Sequence, residues 1–273
     1  MQQILVFTDL DGTLIDHDTY DFKEARPALG QLRARSIPVI ICSSKTRAEI
    51  EVYRRRMGLC DPFIAENGGA VFVPRHALDL RDISSVEKST YHVVELGVPY
   101  ADLCTIWREI KRKKNFRMKG FSEMTIEEIA AWTGLPLEEV RLAARREYSE
   151  PFVFSDTPAQ FRLLASLLQR KGLRITRGGR FYHMTGPNDK GKAVEILRKA
   201  YANTYPERRI WAAGLGDSAN DIPMLSHVDM PIVIRKKTGE WERIHGIEPV
   251  LYSDKAGPRG WAEAIHTILN SSS

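Results

Sequence analysis

Two aspartates near the start of the sequence have the spacing of a site that does chemistry. Asp9 and Asp11 belong to the segment Asp-Leu-Asp-Gly-Thr at residues 9–13, which follows the apolar run at residues 4–7. The pattern predicts a strand that ends in two carboxylates, and side chains two positions apart in a strand share a face. Two carboxylates held this close repel each other unless a cation or a shared proton lies between them. We therefore expect a site for a hard metal ion, Mg²⁺, and the simpler alternative is an Asp-Gly turn after a strand.

Ser43, Lys45 and Lys190 stand where helices are predicted to begin. Ser43 and Lys45 lie between an apolar run and a helix predicted over residues 46–57. A hydroxyl and helix N-terminal N–H groups in that position can hold a phosphate oxygen, and the alternative for Ser43 is a plain helix N-cap. Lys190 opens a helix predicted over residues 190–201, where the helix dipole disfavours a cation unless an anion lies near. The alternative for Lys190 is a surface lysine.

A second pair of aspartates lies late in the chain. Asp217 and Asp221 are part of the segment Gly-Leu-Gly-Asp-Ser-Ala-Asn-Asp at residues 214–221, which overlaps the end of a strand predicted at residues 210–215. A spacing of four places both carboxylates on one face if a helix begins there, and the glycines allow the backbone to approach closely. Taken alone, the segment could also be a loop with an N-cap aspartate.

The elements that must position these residues alternate between strand and helix at both ends of the chain. In chain order they are strand 4–8, helix 24–35, strand 38–42, helix 46–57, then helix 190–201, strand 210–215, helix 221–226, strand 232–234 and helix 260–269. This order predicts an α/β fold, a Rossmann-like, doubly wound parallel sheet with helices on both faces. Ligands bind beyond the carboxyl ends of the strands in such sheets. Asp9, Ser43 and Asn67 all follow strand-like runs, so they should meet at one edge.

The middle of the chain has a different, α+β pattern. The predicted elements are strand 93–96, helix 100–114, helices 125–133 and 137–146, strand 152–154, helix 158–171 and strand 173–176. We expect an α+β cap domain over residues 86–179, inserted into a catalytic core formed by residues 1–85 plus 180–273.

Composition excludes several classes of protein. The chain has 273 residues, 43% of them hydrophobic and 27% charged, as in ordinary globular proteins. No apolar run is long enough to span a bilayer and no cleavable leader is recognisable, so we expect a cytoplasmic protein without a membrane partner. The formal charge of +5 suits an anionic substrate. Its basic clusters lack interleaved aromatic residues, so no nucleic-acid partner is expected.

The segments that carry these candidate catalytic residues, taken in chain order, resemble the motifs of the haloacid-dehalogenase-like phosphatases. The predicted insertion is similar to the larger α/β cap of the sugar-phosphatase branch of that superfamily. The segments that look like one family of this branch, the mannosyl-3-phosphoglycerate phosphatases, are residues 43–46, 66–69, 146–150, 178–183 and 189–193. The resemblance covers nearly the whole chain. It implies a Mg²⁺-dependent phosphoric monoester hydrolase of compatible-solute biosynthesis.

The resemblance also implies roles for the catalytic residues. Asp9 would be the nucleophile and would form an aspartyl-phosphate. Asp11 would protonate the leaving alkoxide and then deprotonate the attacking water. Transport ATPases with a similar site carry threonine in place of Asp11, so an aspartate there favours a hydrolase. Ser43 and Lys190 would bind the phosphate oxygens.

A metal site is implied at the same place. Mg²⁺ would be held by Asp9, the backbone carbonyl of Asp11, and Asp217, because carboxylate and carbonyl oxygens are the ligands that it prefers. Asn220 and Asp221 would orient these ligands from behind.

Further residues are expected to bind the rest of the substrate. Arg180 and His183 would meet its carboxylate or its sugar hydroxyls, since an arginine can present a fork of donors to a carboxylate. The alternative for His183 is a structural histidine with its hydrogen bonds satisfied inside the protein. Lys45 is a further candidate for anion binding. The backbone N–H groups expected to face the glycerate are those of Glu66, Asn67 and Gly68.

The implied substrate is mannosyl-3-phosphoglycerate, an anionic sugar phosphate, which would be hydrolysed to mannosylglycerate and phosphate. Alternatives within the same fold are glucosyl-3-phosphoglycerate and a hexose phosphate, because mannose and glucose differ at one hydroxyl. A non-catalytic sugar-phosphate sensor is a third alternative, but a sensor needs no nucleophile together with an acid–base. The oligomeric state is unknown from the sequence.

Overall fold

The computed structural model describes residues 2–178 and 181–271, which form two β-sheets flanked by helices. The strands are β1 Gln2–Thr8, β2 Val39–Cys42, β3 Phe63–Ala65, β4 Ala70–Pro74, β5 Val86–Lys88, β6 Tyr91–Glu95, β7 Met118–Gly120, β8 Ser149–Phe154, β9 Arg174–Gly178, β10 Phe181–Thr185, β11 Arg209–Gly216, β12 Met230–Arg235 and β13 Leu251–Ala256. The helices are α1 Arg26–Ala34, α2 Arg47–Met57, α3 Tyr100–Lys113, α4 Ile126–Thr133, α5 Leu137–Ala143, α6 Pro158–Gln169, α7 Lys190–Thr204, α8 Ile222–Leu225 and α9 Gly257–Ser271. Turns of 3₁₀ helix lie at Phe121–Glu123 and Ala219–Asp221.

The larger sheet has its strands in the order β13-β12-β11-β1-β2-β3-β4-β6-β5. The strands from β13 to β3 are parallel, whereas β4, β6 and β5 join the edge antiparallel. The chain leaves β1 towards β2 on one side and returns to β11 on the other, which makes β1 the switch point where α/β proteins bind ligands. The predicted α/β class with a doubly wound, mostly parallel sheet is confirmed.

Helices cover both faces of this sheet. Alternate residues of β1 point to opposite faces, so Val6 packs in one cluster with residues of α1, α2 and α9, while Leu5 and Phe7 pack in another with residues of α7 and α8. All three side chains are fully buried. A strand buried on both faces is a continuous apolar run, which is why the sequence at residues 4–7 lacks alternation. Each such side chain contributes about 1.5–3 kcal/mol of burial free energy.

The smaller sheet is antiparallel, with the order β7-β8-β10-β9. On one face Trp107 of α3 packs against Phe152 of β8, with ring centroids 5.0 Å apart. On the other face Ile129 of α4 packs near Phe181 of β10. The smaller sheet therefore has its own two-sided hydrophobic core.

Two stretches of strand join a different sheet from the one that the expected domain boundaries assign to them. The hairpin β5–β6, expected in the cap at residues 86–179, pairs with β4 in the larger sheet. Strand β10, expected in the core, pairs with β8 and β9 in the smaller sheet. Antiparallel strands can pair with any accessible edge, so their sequence does not specify the partner. We propose that the cap spans residues 96–185.

Side-chain caps determine where the helices next to the sheet edge begin. The Thr46 hydroxyl accepts the N–H of Glu49, and the Glu49 carboxylate accepts the N–H of Thr46, so a capping box begins α2. The Asp189 carboxylate accepts the N–H of Lys192 and caps α7. Within the described residues, no helix combines the length and the apolar composition that crossing a bilayer requires.

Candidate active site

The end of β1 carries two carboxylates to the carboxyl edge of the larger sheet. The N–H of Asp9 donates to the carbonyl of Leu215 on β11 at 2.9 Å, so Asp9 is buried beside the neighbouring strand. Asp11 is more open, with 26% of its side chain exposed. The chain turns at Gly12 with φ of +77°, and a Cβ there would lie 2.8 Å from Oδ2 of Asp217. A glycine is therefore required at this turn, both for the positive φ and for the approach to Asp217.

Lys190 lies between two of the acidic residues. Its Nζ donates to Oδ1 of Asp9 at 2.7 Å and to Oδ1 of Asp221 at 2.6 Å. Burial disfavours the charged ammonium, but the charges of Asp221 and Asp9 outweigh that effect and raise the pKa of Lys190 above its usual range. Only 1% of Lys190 is exposed, so the alternative of a surface lysine is wrong.

The segment after β11 brings Asp217 and Asp221 to the same edge. Oδ2 of Asp221 accepts the N–H groups of Asp217 at 3.1 Å and Ser218 at 3.0 Å, and these bonds hold the turn. A Cβ at Gly216 would lie 2.5 Å from that of Asp221, so the glycine permits the close packing. Burial, followed by the charge of Asp221, raises the pKa of Asp217 to about 7.

The acidic cluster fits a divalent cation. One carboxylate oxygen from each of Asp9, Asp217 and Asp221 lies within 4.8 Å of the others. Burial raises the pKa of Asp9 well above its usual range although Lys190 opposes this, and a cation would relieve the cost of ionising it. Asp221 already uses one oxygen for Lys190 and the other for the turn. Asp9 and Asp217 are therefore better placed as ligands than Asp221, which lies behind them.

The loop between β2 and α2 adds a hydroxyl and an ammonium. Ser43 is fully buried, and its Oγ accepts the N–H of Lys45 at 3.2 Å. The N-cap of α2 is Thr46, so the alternative of a helix N-cap for Ser43 is wrong. Nζ of Lys45 lies 3.2 Å from Oδ1 of Asp11 and 3.4 Å from Oε1 of Glu49. Lys45 thus faces the acidic edge, and its binding of a substrate anion stays a prediction.

The loop after β3 has other contacts than those expected from the sequence. The N–H of Glu66 donates to the carbonyl of Lys45, and the N–H of Asn67 donates to the carbonyl of Ser43, both at 3.0 Å. The prediction that these two N–H groups face a ligand is therefore wrong, because the loop between β2 and α2 takes them up. The positive φ of both residues, +51° and +56°, turns the groups in that direction.

The Glu66 carboxylate instead binds the segment that leads into β8. It accepts the N–H of Glu147 at 2.7 Å, the N–H of Tyr148 at 3.1 Å and the hydroxyl of Ser149 at 2.6 Å. Burial raises the pKa of Glu66, and the charge of Arg146 opposes this. Glu66 therefore connects the larger sheet to the start of the smaller one.

Asn67 and Gly68 connect this loop to the segments that carry the other site residues. Oδ1 of Asn67 accepts a hydrogen bond from the side chain of Asn220 at 3.0 Å. Gly68 has φ of +82°, and a Cβ there would lie 2.1 Å from the carbonyl of Asp189, the residue before Lys190. Close packing at Gly68 thus helps to place the first turn of α7.

A cavity of about 660 Å³ lies between the acidic edge and the smaller sheet. Asp9, Asp11 and Asp217 line one side, and Phe181 and His183 of β10 line the other. The arrangement places the carboxylates of Asp9 and Asp11 and a candidate cation site beside a cavity large enough for a sugar derivative.

His183 is buried in the wall of this cavity. Its Nδ1 has no hydrogen-bond partner within the described part of the chain, which favours a binding role over that of a satisfied structural histidine. Burial and the charge of Arg146 lower the pKa of His183 to about 3, and the imidazole is neutral near pH 7. Arg180, the other predicted residue in this strand region, lies outside the described residues.

Arg146 is a cavity residue whose role was not evident from the sequence. It is buried, and its Nη2 donates to the carbonyl of Ser44 at 2.9 Å and to the hydroxyl of Ser149 at 2.8 Å. The available signal was the segment Arg-Glu-Tyr-Ser-Glu at residues 146–150. That segment lies about a hundred positions from Ser44, and pattern reasoning does not detect contacts over such distances.

The family follows from comparison with known proteins. Residues 6–241 match the family model of the haloacid dehalogenase-like hydrolases. This chain belongs to that family. The predicted resemblance to the superfamily is confirmed.

Two curated relatives narrow the comparison. Both are named glucosyl-3-phosphoglycerate/mannosyl-3-phosphoglycerate phosphatase. The relative from Methanococcoides burtonii is 39% identical over 267 residues, which is 97% of each chain. The relative from Persephonella marina is 40% identical over 268 residues, 98% of this chain and 97% of its own. The predicted class, phosphoric monoester hydrolase, is confirmed by these relatives together with the family.

A solved structure supports the fold. BT1666 from Bacteroides thetaiotaomicron, a phosphatase of the haloalkanoate enzyme superfamily, superimposes with a TM-score of 0.67 at 19% identity, covering 98% of this chain and 95% of its own. At this identity the similarity concerns the fold alone. Both the core and the inserted smaller sheet fall within the aligned length.

Proposed function

We propose that this protein is a Mg²⁺-dependent phosphatase that hydrolyses mannosyl-3-phosphoglycerate to mannosylglycerate and phosphate. The observation that carries the proposal is the bridge of Lys190 between Asp9 and Asp221, with Asp217 in the same acidic cluster, at one end of a cavity. The names of the two relatives support the substrate class. They also favour glucosyl-3-phosphoglycerate as a second substrate.

Asp9 is the proposed nucleophile. Lys190 holds its Oδ1, and within the described residues Oδ2 accepts no hydrogen bond, which leaves that oxygen for attack on phosphorus. Attack forms the bond from Asp9 to phosphorus and breaks the bond from phosphorus to the glycerate oxygen. The resulting aspartyl-phosphate divides a slow hydrolysis into two steps.

Asp11 is the proposed acid–base. Its side chain lines the cavity and is more exposed than that of Asp9, so it can reach a leaving group and a water molecule. In the first step Asp11 gives its proton to the leaving alkoxide. In the second step it takes a proton from the water that attacks the aspartyl-phosphate, which releases phosphate and regenerates the carboxylate of Asp9 and the protonated carboxyl of Asp11.

Mg²⁺ would be held by Asp9, the backbone carbonyl of Asp11, and Asp217. When bound, the ion supplies positive charge that stabilises the oxygens of the transferring phosphoryl group. Ser43 and Lys190 would bind the remaining phosphate oxygens. The Ser43 hydroxyl accepts a hydrogen bond from the backbone N–H of Lys45, so the hydroxyl proton is left to be donated to a phosphate oxygen.

A non-catalytic sensor is a weaker alternative. A sensor would need the cavity and its cations, but it would gain nothing from two clustered carboxylates whose ionisation burial opposes. An acid–base beside a nucleophile serves turnover, and the hydrolase family of the chain agrees with turnover.

The direct test is phosphate release from mannosyl-3-phosphoglycerate, glucosyl-3-phosphoglycerate and mannose 6-phosphate, measured side by side with Mg²⁺ and with EDTA. We expect Mg²⁺-dependent release from the two phosphoglycerates, with the mannosyl compound preferred. Activity mainly on mannose 6-phosphate would retain the catalytic residues and refute the substrate. No release from any of the three would refute the function.

A further inference from the structure

Four charged side chains form a continuous row from the acidic edge to the opposite wall of the cavity. Nζ of Lys45 lies 3.2 Å from Asp11 and 3.4 Å from Glu49. On the far side of the Glu49 carboxylate, Nη1 of Arg146 lies 3.9 Å from Oε2. Arg146 therefore lies close to the loop between β2 and α2, which carries Ser43 and Lys45, although Arg146 itself belongs to the segment that leads into the smaller sheet.

The Arg146 guanidinium keeps donors that the protein does not use. Nη2 donates to Ser44 and Ser149, as described above. Nε is ion-paired with Oε2 of Glu66 at 3.4 Å without hydrogen-bond geometry, and within the described residues Nη1 makes no hydrogen bond and lies 3.9 Å from Oε2 of Glu49. The side chain is 4% exposed, so water cannot fully solvate these donors. Buried donors without acceptors cost free energy, and a ligand acceptor in the cavity would remove that cost.

His183 adds a second unsatisfied group on the same wall. Its Nδ1 is buried and has no hydrogen-bond partner among the residues that the structure describes, and His183 lines the same cavity as Arg146. His183 pairs with Pro151 across β10 and β8, two residues beyond Ser149, which Arg146 binds. Two neighbouring polar groups that no described residue bonds, Nη1 of Arg146 and Nδ1 of His183, are consistent with a polar ligand group between them.

The other described cations that line the cavity are already engaged or more open. Nζ of Lys236 donates to Oε2 of Glu242 at 2.5 Å, and Nζ of Lys45 lies between the carboxylates of Asp11 and Glu49. Arg177 is exposed, with its guanidinium 5.5 Å from the centre of the Tyr182 ring. Arg146 is thus the buried cation with donors to spare among these residues.

We propose that Arg146, with His183 beside it, binds the carboxylate of the substrate and so selects phosphoglycerates over sugar phosphates that lack a carboxylate. The inference rests on the proposed function and adds the residue that distinguishes its substrate class. With Nη2 bonded to Ser44 and Ser149 and Nε facing Glu66, Nη1 is the group that can donate to the ligand, and a hydrogen bond between a guanidinium and a carboxylate is charge-assisted. In a 3-phosphoglycerate only two carbon atoms separate the carboxylate carbon from the phosphate oxygen. Arg146 is correspondingly close to the proposed phosphate site, because its Nη2 binds the carbonyl of Ser44, the residue after Ser43.

The test uses two substrates that differ only in this group, mannosyl-3-phosphoglycerate and its carboxylate methyl ester. The wild type should prefer the acid over the ester by about 10–100-fold in kcat/KM, the size of one charge-assisted pair. Arg146→Met should raise KM for the acid by a similar factor and leave the ester within about 3-fold, so that the preference disappears. Arg146→Lys should restore part of it.

Three controls keep the result interpretable. Turnover of p-nitrophenyl phosphate reports whether each variant keeps its fold and its chemistry. Arg177→Met, a matched change at an exposed arginine on the same cavity, should keep the preference for the acid. Arg180→Met is measured in parallel, because the sequence also predicted that Arg180 meets the carboxylate.

The outcomes separate this inference from the proposed function. If the wild type hydrolyses neither sugar phosphoglycerate, the proposed function fails. If it hydrolyses them but Arg146→Met affects acid and ester equally, the inference fails and the function stands. A loss of preference in Arg177→Met or Arg180→Met, but not in Arg146→Met, also overturns the inference.

Discussion

The two sides of the cavity differ in how their buried polar groups are partnered. At the edge of the larger sheet, Lys190 bridges Asp9 and Asp221, and Asp221 in turn holds the loop that carries Asp217. On the opposite wall, Nδ1 of His183 is buried without a hydrogen bond to any described residue, and Nε of Arg146 is ion-paired with Glu66 but makes no hydrogen bond among those residues. The first side is held together by buried ion pairs, although Oδ1 of Asp11 makes no hydrogen bond there either, whereas on the second side no described residue bonds Nδ1 of His183.

This difference fits a division of labour between chemistry and selection. Charged groups that hold one another are preorganised, so they need not rearrange as charge develops during a reaction. An unsatisfied buried donor costs about 1–3 kcal/mol, and a ligand that offers the matching acceptor removes this cost. Such a ligand therefore binds more tightly than a ligand without the acceptor. The proposed roles are therefore catalysis at the edge of the larger sheet and substrate selection at the opposite wall.

The strongest way to break the comparison is Asp9→Asn. We expect turnover to fall by at least about 10⁴-fold on sugar phosphoglycerates and on p-nitrophenyl phosphate alike, because an amide does not replace the carboxylate as nucleophile. Thermal unfolding should show a folded protein, since the amide is nearly isosteric. Turnover of the variant above about 1% of wild type would refute Asp9 as nucleophile.

Lys190→Met removes the cation that holds the acidic edge together. We expect the free energy of unfolding to fall by about 3–5 kcal/mol, because two buried carboxylates lose their shared partner. Urea denaturation of both proteins at pH 7.5 measures the loss. The matched control is Lys192→Met on the same helix, where the side chain is exposed and the change should stay within about 0.5 kcal/mol. Similar losses in the two variants would contradict the bridge.

His183→Gln tests the opposite wall through the pH dependence of stability. Because the pKa of His183 is about 3 in the folded protein and about 6.5 when unfolded, the unfolded chain binds the proton first as the pH falls. The stability attached to this group is therefore present above pH 6.5 and is lost between pH 6.5 and 3. Relative to wild type, the variant should gain about 2 kcal/mol between pH 7 and pH 5. Parallel stability curves would show that His183 is not held neutral.

Thr46→Ala sharpens the comparison at the contact between the two walls. The hydroxyl caps α2 and also donates to the carbonyl of Leu142 in α5 at 3.0 Å. Loss of the cap should cost about 1 kcal/mol in urea denaturation. Thr157→Ala is the matched control, because Thr157 caps α6 within the smaller domain. Both variants should lose similar stability, and only Thr46→Ala should raise KM. An unchanged KM in Thr46→Ala would separate α5 from substrate binding.

The acidic edge was predictable because its signals are local. Where a run of apolar residues gives way to carboxylates, the sequence itself marks the end of a buried strand. Parallel strands bring such ends to the same edge of the sheet. Asp9, Ser43 and Asp217 each follow a strand that has its neighbours in the expected part of the sheet. The helix starts at Thr46 and Lys190 were also close to prediction, since their caps lie within a few residues of the helix.

The domain boundary and the binding wall were less predictable because their signals are distant. The hairpin β5–β6 and the strand β10 have ordinary strand sequences, and only the available sheet edges decided which sheet each one joined. The Glu66 and Asn67 N–H groups were assigned to a ligand, whereas the loop after β2 takes them. An extended segment does not reveal which acceptors the fold will bring to it.

The sequence by itself determined the α/β order, the strand ends that carry carboxylates, and the hydrolase family of this protein. These properties depend on runs of neighbouring residues, which hydrophobic periodicity and short motifs record. Only the tertiary structure decided that Lys190 joins Asp9 to Asp221, that Glu66 binds the segment before β8, and that Arg146 and His183 line the same cavity. Those contacts bring together residues far apart in the chain, and their energies depend on burial, which no short segment of sequence contains.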